Sequence, residues 1–307
     1  MTEQREFIPK PVHMLYQEMI ERIEARSGIA DYPFYLKDLD EITMGIPKGQ
    51  LTVLAARPSE GKTSFGMQCA IKNSGAGKDV IYITREDNSL KVLEKMCCNI
   101  FSIPNTELRK GDTSGLKKRF PENLLKHFNL LLLDDFGGSF QELEEMMMGN
   151  DDHGGLDPLP DIIFIDYIQL IRNKNTYMSR KEVVEDFMRK CKDMCNLTGV
   201  SIVILSQINR TARNERPNMW QMKESGAIEE SADLCLILHY PWKYEITSGT
   251  PEGETQNMKG MIECIVAKQK EGEVGIEKLK FQGQYYRFGD YIQDALDSKI
   301  QLNKRGR

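Results

Sequence analysis

Phosphate-binding chemistry is concentrated in one short segment of the chain, which consists of Arg57, Pro58, Ser59, Glu60, Gly61, Lys62, Thr63 and Ser64. An apolar run precedes the segment and a helical segment follows it, which is the order of a phosphate-binding loop. The backbone N–H groups of such a loop and the helix N-terminus bind phosphate oxygens, and Gly61 allows close approach. Lys62 brings a point charge to the β- and γ-phosphates, and Thr63 offers a hydroxyl to Mg²⁺. The sequence therefore predicts a site for ATP and Mg²⁺, although Ala56 stands where such loops usually carry Gly.

Polar side chains at the ends of neighbouring apolar runs are candidates for holding the metal and activating water. Asp166 ends a run rich in Ile, where open α/β sheets bind ligands, and its carboxylate can hold the water shell of Mg²⁺. Glu86 and Asp87 follow the run 80–84, so these two carboxylates compete for the role of general base, with Glu86 the first choice. Gln207 follows a third run and is a candidate contact to the γ-phosphate or the attacking water.

Six short, nearly continuous apolar runs must position these side chains. They cover residues 51–56, 80–84, 129–133, 161–166, 201–206 and 234–238. Such runs, with helical segments between them, are typical of parallel strands that are buried on both faces. Three later runs alternate between apolar and polar residues and predict an antiparallel extension, at 261–268, 276–281 and 284–288. The expected fold is α/β, with a mixed, mostly parallel sheet flanked by helices.

The composition is that of a globular protein. The 307 residues would allow about two domains, and 28% charged residues with 40% hydrophobic residues exclude collagen-like and disordered classes. No apolar run approaches the roughly 18 residues of a membrane span, and the chain starts with charged residues, so we expect a cytoplasmic protein. The seven cysteines are scattered and odd in number, which argues against a disulfide framework. Cys191 and Cys195 have no His nearby, so no zinc site is expected there.

The charge is unevenly distributed along the chain. The net charge is -5, yet residues 172–223 contain 11 Lys or Arg against five Asp or Glu. This segment includes Arg210, Arg213, Arg216 and Trp220, a combination of cations and an aromatic ring that suits single-stranded nucleic acid. Solvated surface charge is the alternative interpretation. Contacts to the phosphate backbone would give little base specificity and a strong dependence on salt.

An amphipathic helix is predicted at residues 11–26. Val12, Leu15, Met19 and Ile23 recur at steps of three and four, which places them in one apolar stripe. The stripe needs a surface to cover, so the helix packs on its own chain or docks on another subunit.

Several sequence blocks together resemble a known family. The blocks are ARPSEGKTS, TRED, IIFIDYIQLI, VILSQINR, KESGAIEESAD, IVAKQKEGEVG and FQGQYYRF. They are similar to the C-terminal ATPase domain of the DnaB-like replicative helicases, which are RecA-type motors, and the resemblance extends from about Phe34 to Phe288. Ala56 fits this family as well. The resemblance implies a RecA-like P-loop NTPase fold, with residues 1–28 as a linker and docking helix and 29–307 as the ATPase motor domain.

The resemblance also implies roles for individual residues. Lys62 and Thr63 would bind ATP and Mg²⁺, Glu86 would be the catalytic base in preference to its neighbour, Asp166 would be the metal-side carboxylate, and Gln207 would sense the γ-phosphate. Family members form hexameric rings with ATP at the subunit interfaces and single-stranded DNA in the channel. A primase or a helicase loader is then an expected partner.

The family's DNA-contacting loop and its subunit contacts can be mapped in the same way. The resemblance implies that Lys223, Glu224, Ser225 and Gly226 lie on the DNA-contacting loop. Arg210 and Arg213 of the basic segment are further candidate DNA contacts. The helix at 11–26 corresponds to one that docks on the adjacent subunit in the family.

The sequence departs from the family in three places. The family motif has a Lys and then an Arg that reach the neighbouring subunit's ATP site, whereas this chain has Lys268 and Lys270. A lysine lacks the planar fork of arginine, so stabilisation of the γ-phosphate should be weaker, unless Arg287 has taken over that role. Lys223 stands where the family usually has Arg. Only the helix at 11–26 precedes the motor, whereas replicative members carry a globular collar domain there.

The leading hypothesis is a DNA helicase motor that hydrolyses ATP, moves on single-stranded DNA and separates duplex during replication. The alternatives are a recombinase-type or mediator-type DNA-dependent ATPase, and a slow nucleotide-dependent loader or regulatory DNA-binding module.

Overall fold

A computed structural model describes most of the chain, namely residues 12–24, 30, 32–119, 124–134, 136–149, 154–166, 178–208, 216–222, 225–244 and 259–291. The chain divides into two compact units, Met1–Ala30 and Asp31–Arg307. The first contains helix α1, Val12–Glu24, which agrees with the predicted helix apart from its ends. Val12 is 83% exposed. The docking role of this helix and the division into functional domains stay predictions.

Within the described part of the second unit, nine strands form one sheet. The strands are β1 Leu51–Ala56, β2 Val80–Thr84, β3 Leu130–Leu133, β4 Ile162–Asp166, β5 Ser201–Gln207, β6 Leu234–His239, β7 Met261–Gln269, β8 Gly275–Gln282 and β9 Arg287–Asp290. The helices are α2 Lys37–Thr43, α3 Lys62–Gly75, α4 Ser89–Phe101, α5 Asn105–Arg109, α6 Ser114–Arg119, α7 Phe140–Met148, α8 Arg180–Thr198 and α9 Ser225–Ser231.

The sheet is mixed, and its order is β3-β2-β4-β5-β1-β6-β7-β8-β9. The first six strands in this order are parallel to one another, and β7, β8 and β9 continue the sheet in antiparallel fashion. The carboxyl ends of β1, β2, β4 and β5 therefore meet at one edge, which is where open α/β sheets bind ligands. The expected α/β fold with a mostly parallel sheet and an antiparallel extension is confirmed.

The sheet is buried because helices cover both of its faces. Side chains of β1 alternate: Val53 and Ala55 pack in the cluster that includes α7, α8 and α9, whereas Leu54 and Ala56 pack in the cluster with α2, α3 and α4. Every residue of β1 is buried. This two-sided burial explains why the parallel strands read as continuous apolar runs rather than alternating ones.

The predicted strands agree closely with the structure, with one exception. Each of the first eight apolar runs lies within one residue of an observed strand at both ends. The ninth was predicted at 284–288 and is wrong at its start: Gly283–Tyr285 is a 3₁₀ turn, Tyr286 has a φ of 51°, and β9 begins at Arg287. The antiparallel pairing of β8 with β9 requires the chain to reverse there, and these residues make the reversal.

The described residues give two further findings, one on the cysteines and one on membrane-spanning helices. All seven cysteines are free and buried. Among the described helices, none is long and apolar enough to cross a membrane.

Candidate nucleotide-binding site

The loop between β1 and α3 has the backbone of a phosphate cradle. Ser59 has a φ of 62° and Gly61 a φ of 90°, and α3 begins directly after this glycine, so its first N–H groups face the loop. A Cβ atom on Gly61 would lie 2.8 Å from Cζ of Phe288 on β9, which leaves space for glycine alone. Lys243 Nζ also donates a hydrogen bond of 2.8 Å to the carbonyl oxygen of Pro58. The antiparallel extension and the segment after β6 thus support the loop from outside.

Ala56 occupies a position that has no need for glycine. It is the last residue of β1 and pairs in register with Gln207 on one side and Leu238 on the other. Its backbone is therefore that of an ordinary strand, which any residue adopts. The same pairing places Gln207 beside the start of the loop, at the edge where the sequence predicts it.

Asp166 is held at the end of β4 by two side chains. Lys62 Nζ lies 2.6 Å from Asp166 Oδ1, and the hydroxyl of Tyr82 donates to Oδ2 at 3.0 Å. Asp166 is 1% exposed. A buried carboxylate needs such partners because an unpaired charge in the interior is strongly unfavourable. The structure thus brings together the predicted lysine and the predicted metal-side carboxylate.

The structure distinguishes the two candidates for the general base. Asp87 is bound by both Lys91 and Lys95. Burial alone would raise the pKa of Asp87, but hydrogen bonds from these lysines outweigh it and hold the pKa below its ordinary value. Glu86 is exposed and, among the described residues, has no ion-pair partner within contact distance. Its strand pairs through Thr84 with Asp166, so Glu86 follows at the same sheet edge.

The donor set at this edge fits a nucleoside triphosphate with Mg²⁺. A lysine ammonium, a helix N-terminus and a loop that has no room for a Cβ atom at Gly61 suit the phosphates. The Thr63 hydroxyl and the Asp166 carboxylate are oxygen ligands of the kind that Mg²⁺ prefers, directly or through water. In the structure, Asp166 supplies the negative charge that Lys62 contacts.

Lys268 and Lys270 lie at the opposite edge of the sheet. Lys270 Nζ is 2.7 Å from Asp233 Oδ1, and Asp233 in turn accepts a 2.8 Å hydrogen bond from the N–H of Leu51, the first residue of β1. Lys268 Nζ contacts the carbonyl oxygen of Glu229. The length of β1 separates these lysines from the phosphate loop, at about 3.3 Å per residue. The structure therefore does not bring them to the nucleotide site of their own chain.

Arg287, the alternative to Lys270, has partners within its own chain. Its guanidinium contacts the carbonyl oxygen of Asn99 and lies 5.9 Å from the centre of the Tyr285 ring. These contacts tie β9 to α4. They favour a structural role for Arg287.

Four of the predicted DNA contacts lie outside the described residues: Arg210, Arg213, Lys223 and Glu224. Ser225 and Gly226 begin α9, and Gly226 is exposed. Arg216 is held by a two-pronged pair with Glu263, with distances of 2.9 and 2.7 Å. Trp220 is 72% exposed. The segment after β5 thus contains an anchored arginine and, four residues later, a large exposed aromatic side chain.

Comparison with known proteins identifies the family of the chain. Residues 33–290 match the family described as "DnaB-like helicase C terminal domain". The chain belongs to this family. Its resemblance to DnaB-like helicases, inferred above from sequence blocks, is thereby confirmed.

Relatives of this DnaB-like chain are replicative helicases from bacteria. The chain is 28% identical over 286 residues to "Replicative DNA helicase DnaB" of Haemophilus influenzae, covering 90% of this chain and 58% of that protein. It is 29% identical over 289 residues to "Replicative DNA helicase DnaC" of Bacillus subtilis, covering 91% of this chain and 61% of that protein. The chain therefore spans about three fifths of the length of these relatives.

Two solved structures share the fold of this DnaB-like chain. One is described as an "ATPase Domain", with a TM-score of 0.78 and 24% identity, covering 93% of this chain and all of that one. The other is "The Structure Of A DnaB-Like Replicative Helicase And Its Interactions With Primase", with a TM-score of 0.76 and 24% identity, covering 93% and 68%. The RecA-like fold expected from the sequence is confirmed.

The structure also reveals two residues of the DnaB-like chain that sequence reasoning missed. Tyr82 contacts the metal-side carboxylate, and Asp233 binds both Lys192 and Lys270. Tyr82 carried a signal, because a hydroxyl inside an otherwise apolar strand needs a buried partner. Asp233 carried none, since nothing in its sequence neighbourhood indicates which lysines approach it.

Proposed function

We propose that this chain is the motor of a DNA helicase, which hydrolyses ATP, moves along single-stranded DNA and separates duplex during replication. The observation that carries the proposal is the contact of Lys62 with Asp166 at the edge of the sheet where the phosphate loop begins, in a chain of the DnaB-like family. This contact supports a site in which nucleotide binding would replace the Lys62–Asp166 ion pair, with phosphate paired to Lys62 and a metal ion to Asp166.

The proposed roles at this site follow from position and charge. Lys62 leaves Asp166 and binds the β- and γ-phosphates, and the loop from Arg57 to Ser64 surrounds them with N–H groups. Thr63 and Asp166 hold Mg²⁺, which when bound would supply positive charge to the phosphate oxygens. Glu86 accepts the proton of the attacking water.

Gln207 completes the proposed site. It lies beside Ala56 at the carboxyl end of β5, and this position supports a role for its amide in contacting the γ-phosphate or the water. The segment that follows Gln207 along the chain contains the candidate DNA contacts. Loss of the γ-phosphate and grip on DNA are thereby coupled through a short stretch of chain.

The neighbouring subunit provides the remaining cations in this proposal. Lys268 and Lys270 lie at the edge opposite the phosphate loop, which supports a role at the site of another copy rather than at their own. The Lys270 side chain is 48% exposed, which allows it to exchange Asp233 for a neighbour's phosphate. A homo-hexameric ring with nucleotide at each interface satisfies this geometry.

The proposed DNA path passes the segment after β5. Arg210, Arg213, Lys223 and Glu224, with Ser225 and Gly226 at the start of α9, are the proposed contacts. Exposed Trp220 adds an aromatic surface for bases. A primase or a helicase loader is the proposed protein partner, and the cytoplasm of a bacterial or phage-infected cell the proposed location.

A forked DNA duplex with single-stranded tails tests the proposal. We expect strand separation that needs ATP and falls steeply with added salt. Hydrolysis of ATP on DNA without strand separation would contradict the helicase function. Light scattering with ATP and single-stranded DNA should give six copies of the 35.2 kDa chain.

A further inference from the structure

Tyr82 places a hydroxyl in the interior of the sheet, against the metal-side carboxylate. The residue lies on β2, which pairs with β4 so that Tyr82 is opposite Phe164 and Thr84 opposite Asp166. The Tyr82 side chain is fully buried, and its hydroxyl donates to Asp166 Oδ2 at 3.0 Å. A carboxylate has no proton to give, so the direction of this hydrogen bond is fixed.

The hydrogen bond determines where the other oxygen of Asp166 points. The Tyr82 ring stacks on Phe164 with centroids 5.9 Å apart and is fully buried, so close packing restricts its movement. With Oδ2 held by a fixed donor, rotation of the carboxylate would break a buried hydrogen bond. Oδ1 therefore stays directed at the phosphate loop, where it meets Lys62 at 2.6 Å.

The opposite end of β4 offers a matched pair. Asp161 directly precedes β4, and its Oδ1 accepts a hydrogen bond from the Tyr32 hydroxyl at the same distance of 3.0 Å. Its Oδ2 accepts the N–H of Asp79 at 2.9 Å. The two tyrosine–aspartate pairs differ in the partner of the second oxygen, which is a cation for Asp166 and a backbone amide for Asp161. The pair at Asp166 is the one that can influence a metal ion.

We propose that Tyr82 is a positioning residue for Asp166: its hydroxyl fixes the carboxylate so that Oδ1 faces the cation in the phosphate loop. That cation is Lys62 before nucleotide binds and Mg²⁺ afterwards. The inference rests on the proposed nucleotide function. Groups that orient a metal-side carboxylate typically change metal affinity by about 10- to 100-fold when removed.

Tyr82→Phe and Tyr32→Phe test the inference as a matched pair, because each removes one hydroxyl from an aspartate. A fluorescent, non-hydrolysable ATP analogue is bound to each protein, first with a chelator and then during a titration with Mg²⁺. For Tyr82→Phe we expect the Mg²⁺ concentration at half-maximal tightening to rise about 10- to 100-fold. Affinity without Mg²⁺ should stay within about twofold, excess Mg²⁺ should restore binding, and Tyr32→Phe should match the wild-type protein.

Three results would overturn the inference, and they differ in what else they contradict. Superimposable Mg²⁺ titrations for Tyr82→Phe and wild type would remove the role of Tyr82 and leave the nucleotide site intact. Equal loss of binding with and without Mg²⁺ would mean that Tyr82 only supports the fold. A wild-type protein whose nucleotide binding ignores Mg²⁺ would overturn the proposed nucleotide function together with the inference.

Discussion

The two edges of the parallel sheet each carry a nearly buried aspartate paired with lysine, yet their surroundings differ. At the carboxyl edge, Asp166 has one lysine and one neutral hydroxyl, from Lys62 and Tyr82. The lysine side chain is 11% exposed and belongs to the phosphate loop. The charges balance one to one, so a phosphate that attracts Lys62 leaves Asp166 ready for a metal ion.

At the amino edge, Asp233 has two lysines and a backbone donor. Lys192 and Lys270 approach it at 2.6 and 2.7 Å, and the N–H of Leu51 adds a third contact. One positive charge is in excess here, and Lys270 is the more exposed of the two lysines. The Lys62–Asp166 pair is thus nearly buried, whereas Lys270 at the other edge is partly exposed, which agrees with the proposed roles of these lysines. A ring that joins unlike edges of neighbouring copies would use both.

Glu86→Gln should have the largest effect of the changes at the carboxyl edge, and this effect is on ATP turnover. Loss of the proposed base should slow ATP turnover by about 10²- to 10⁴-fold while nucleotide binding persists. Asp87→Asn is the matched control, because that carboxylate is engaged by Lys91 and Lys95 and should affect stability more than turnover. Steady-state hydrolysis and analogue binding measure the two effects. If Asp87→Asn stopped turnover and Glu86→Gln did not, the base would be misassigned.

Gly61→Ala should damage the same edge through the backbone. Both Gly61 and Gly77 have positive φ, at 90° and 85°, so alanine at either position costs about 1–2 kcal/mol of stability. A Cβ atom at Gly61 also meets Phe288 at 2.8 Å, whereas at Gly77 it meets nothing within 4 Å. We expect both variants to melt earlier and Gly61→Ala alone to lose nucleotide affinity. Equal affinities in the two variants would show that the loop shape does not matter for binding.

Asp233→Asn should have a smaller effect, on the free energy of unfolding, at the amino edge of the sheet. Burial alone would raise the pKa of Asp233, but hydrogen bonds from Lys192 and Lys270 hold it below its ordinary value. A lowered pKa stabilises the fold above the ordinary pKa of aspartate, about 4, and the contribution is lost as the pH falls below it. At about pH 7 we expect the variant to lose about 1–2 kcal/mol, discounted for the exposure of Lys270.

Urea unfolding of wild type and Asp233→Asn at several pH values checks this effect. The difference in unfolding free energy should shrink as the pH is lowered through the range below about 4. A difference that persists unchanged into acid would mean that the ion pairs at this edge do not stabilise the chain. Nucleotide binding by an isolated subunit should be unaffected, because Asp233 lies at the edge opposite the phosphate loop.

Much of this arrangement could be predicted from the sequence because its signals are local. The boundaries of β1 and β2 follow from continuous apolar runs. The position of Lys62 follows from the phosphate-loop motif, and that of Asp166 from the end of a strand. The contacts of Tyr82 could not be predicted, since its partner is 84 residues away and depends on the pairing of β2 with β4.

Other features depended on three-dimensional packing in the same way. Asp233 pairs with Lys192 of α8 and with Lys270, which directly follows β7. Only the folded sheet brings these two lysines together. The start of β9 was predicted too early because the left-handed backbone of Tyr286 leaves no mark in the apolar pattern. Local patterns therefore located the strands and the loop, whereas contacts between distant segments required the fold.

The most direct test is nucleotide binding by Lys62→Ala, compared with Lys72→Ala on the same helix. Lys62 contacts Asp166 and is the proposed phosphate-binding cation, whereas Lys72 is exposed and lies 5.3 Å from the centre of the Tyr35 ring. We predict that Lys62→Ala weakens binding of a fluorescent ATP analogue by about 100-fold and that Lys72→Ala binds like wild type. Equal binding by the two variants would contradict the assignment of this edge as the nucleotide site.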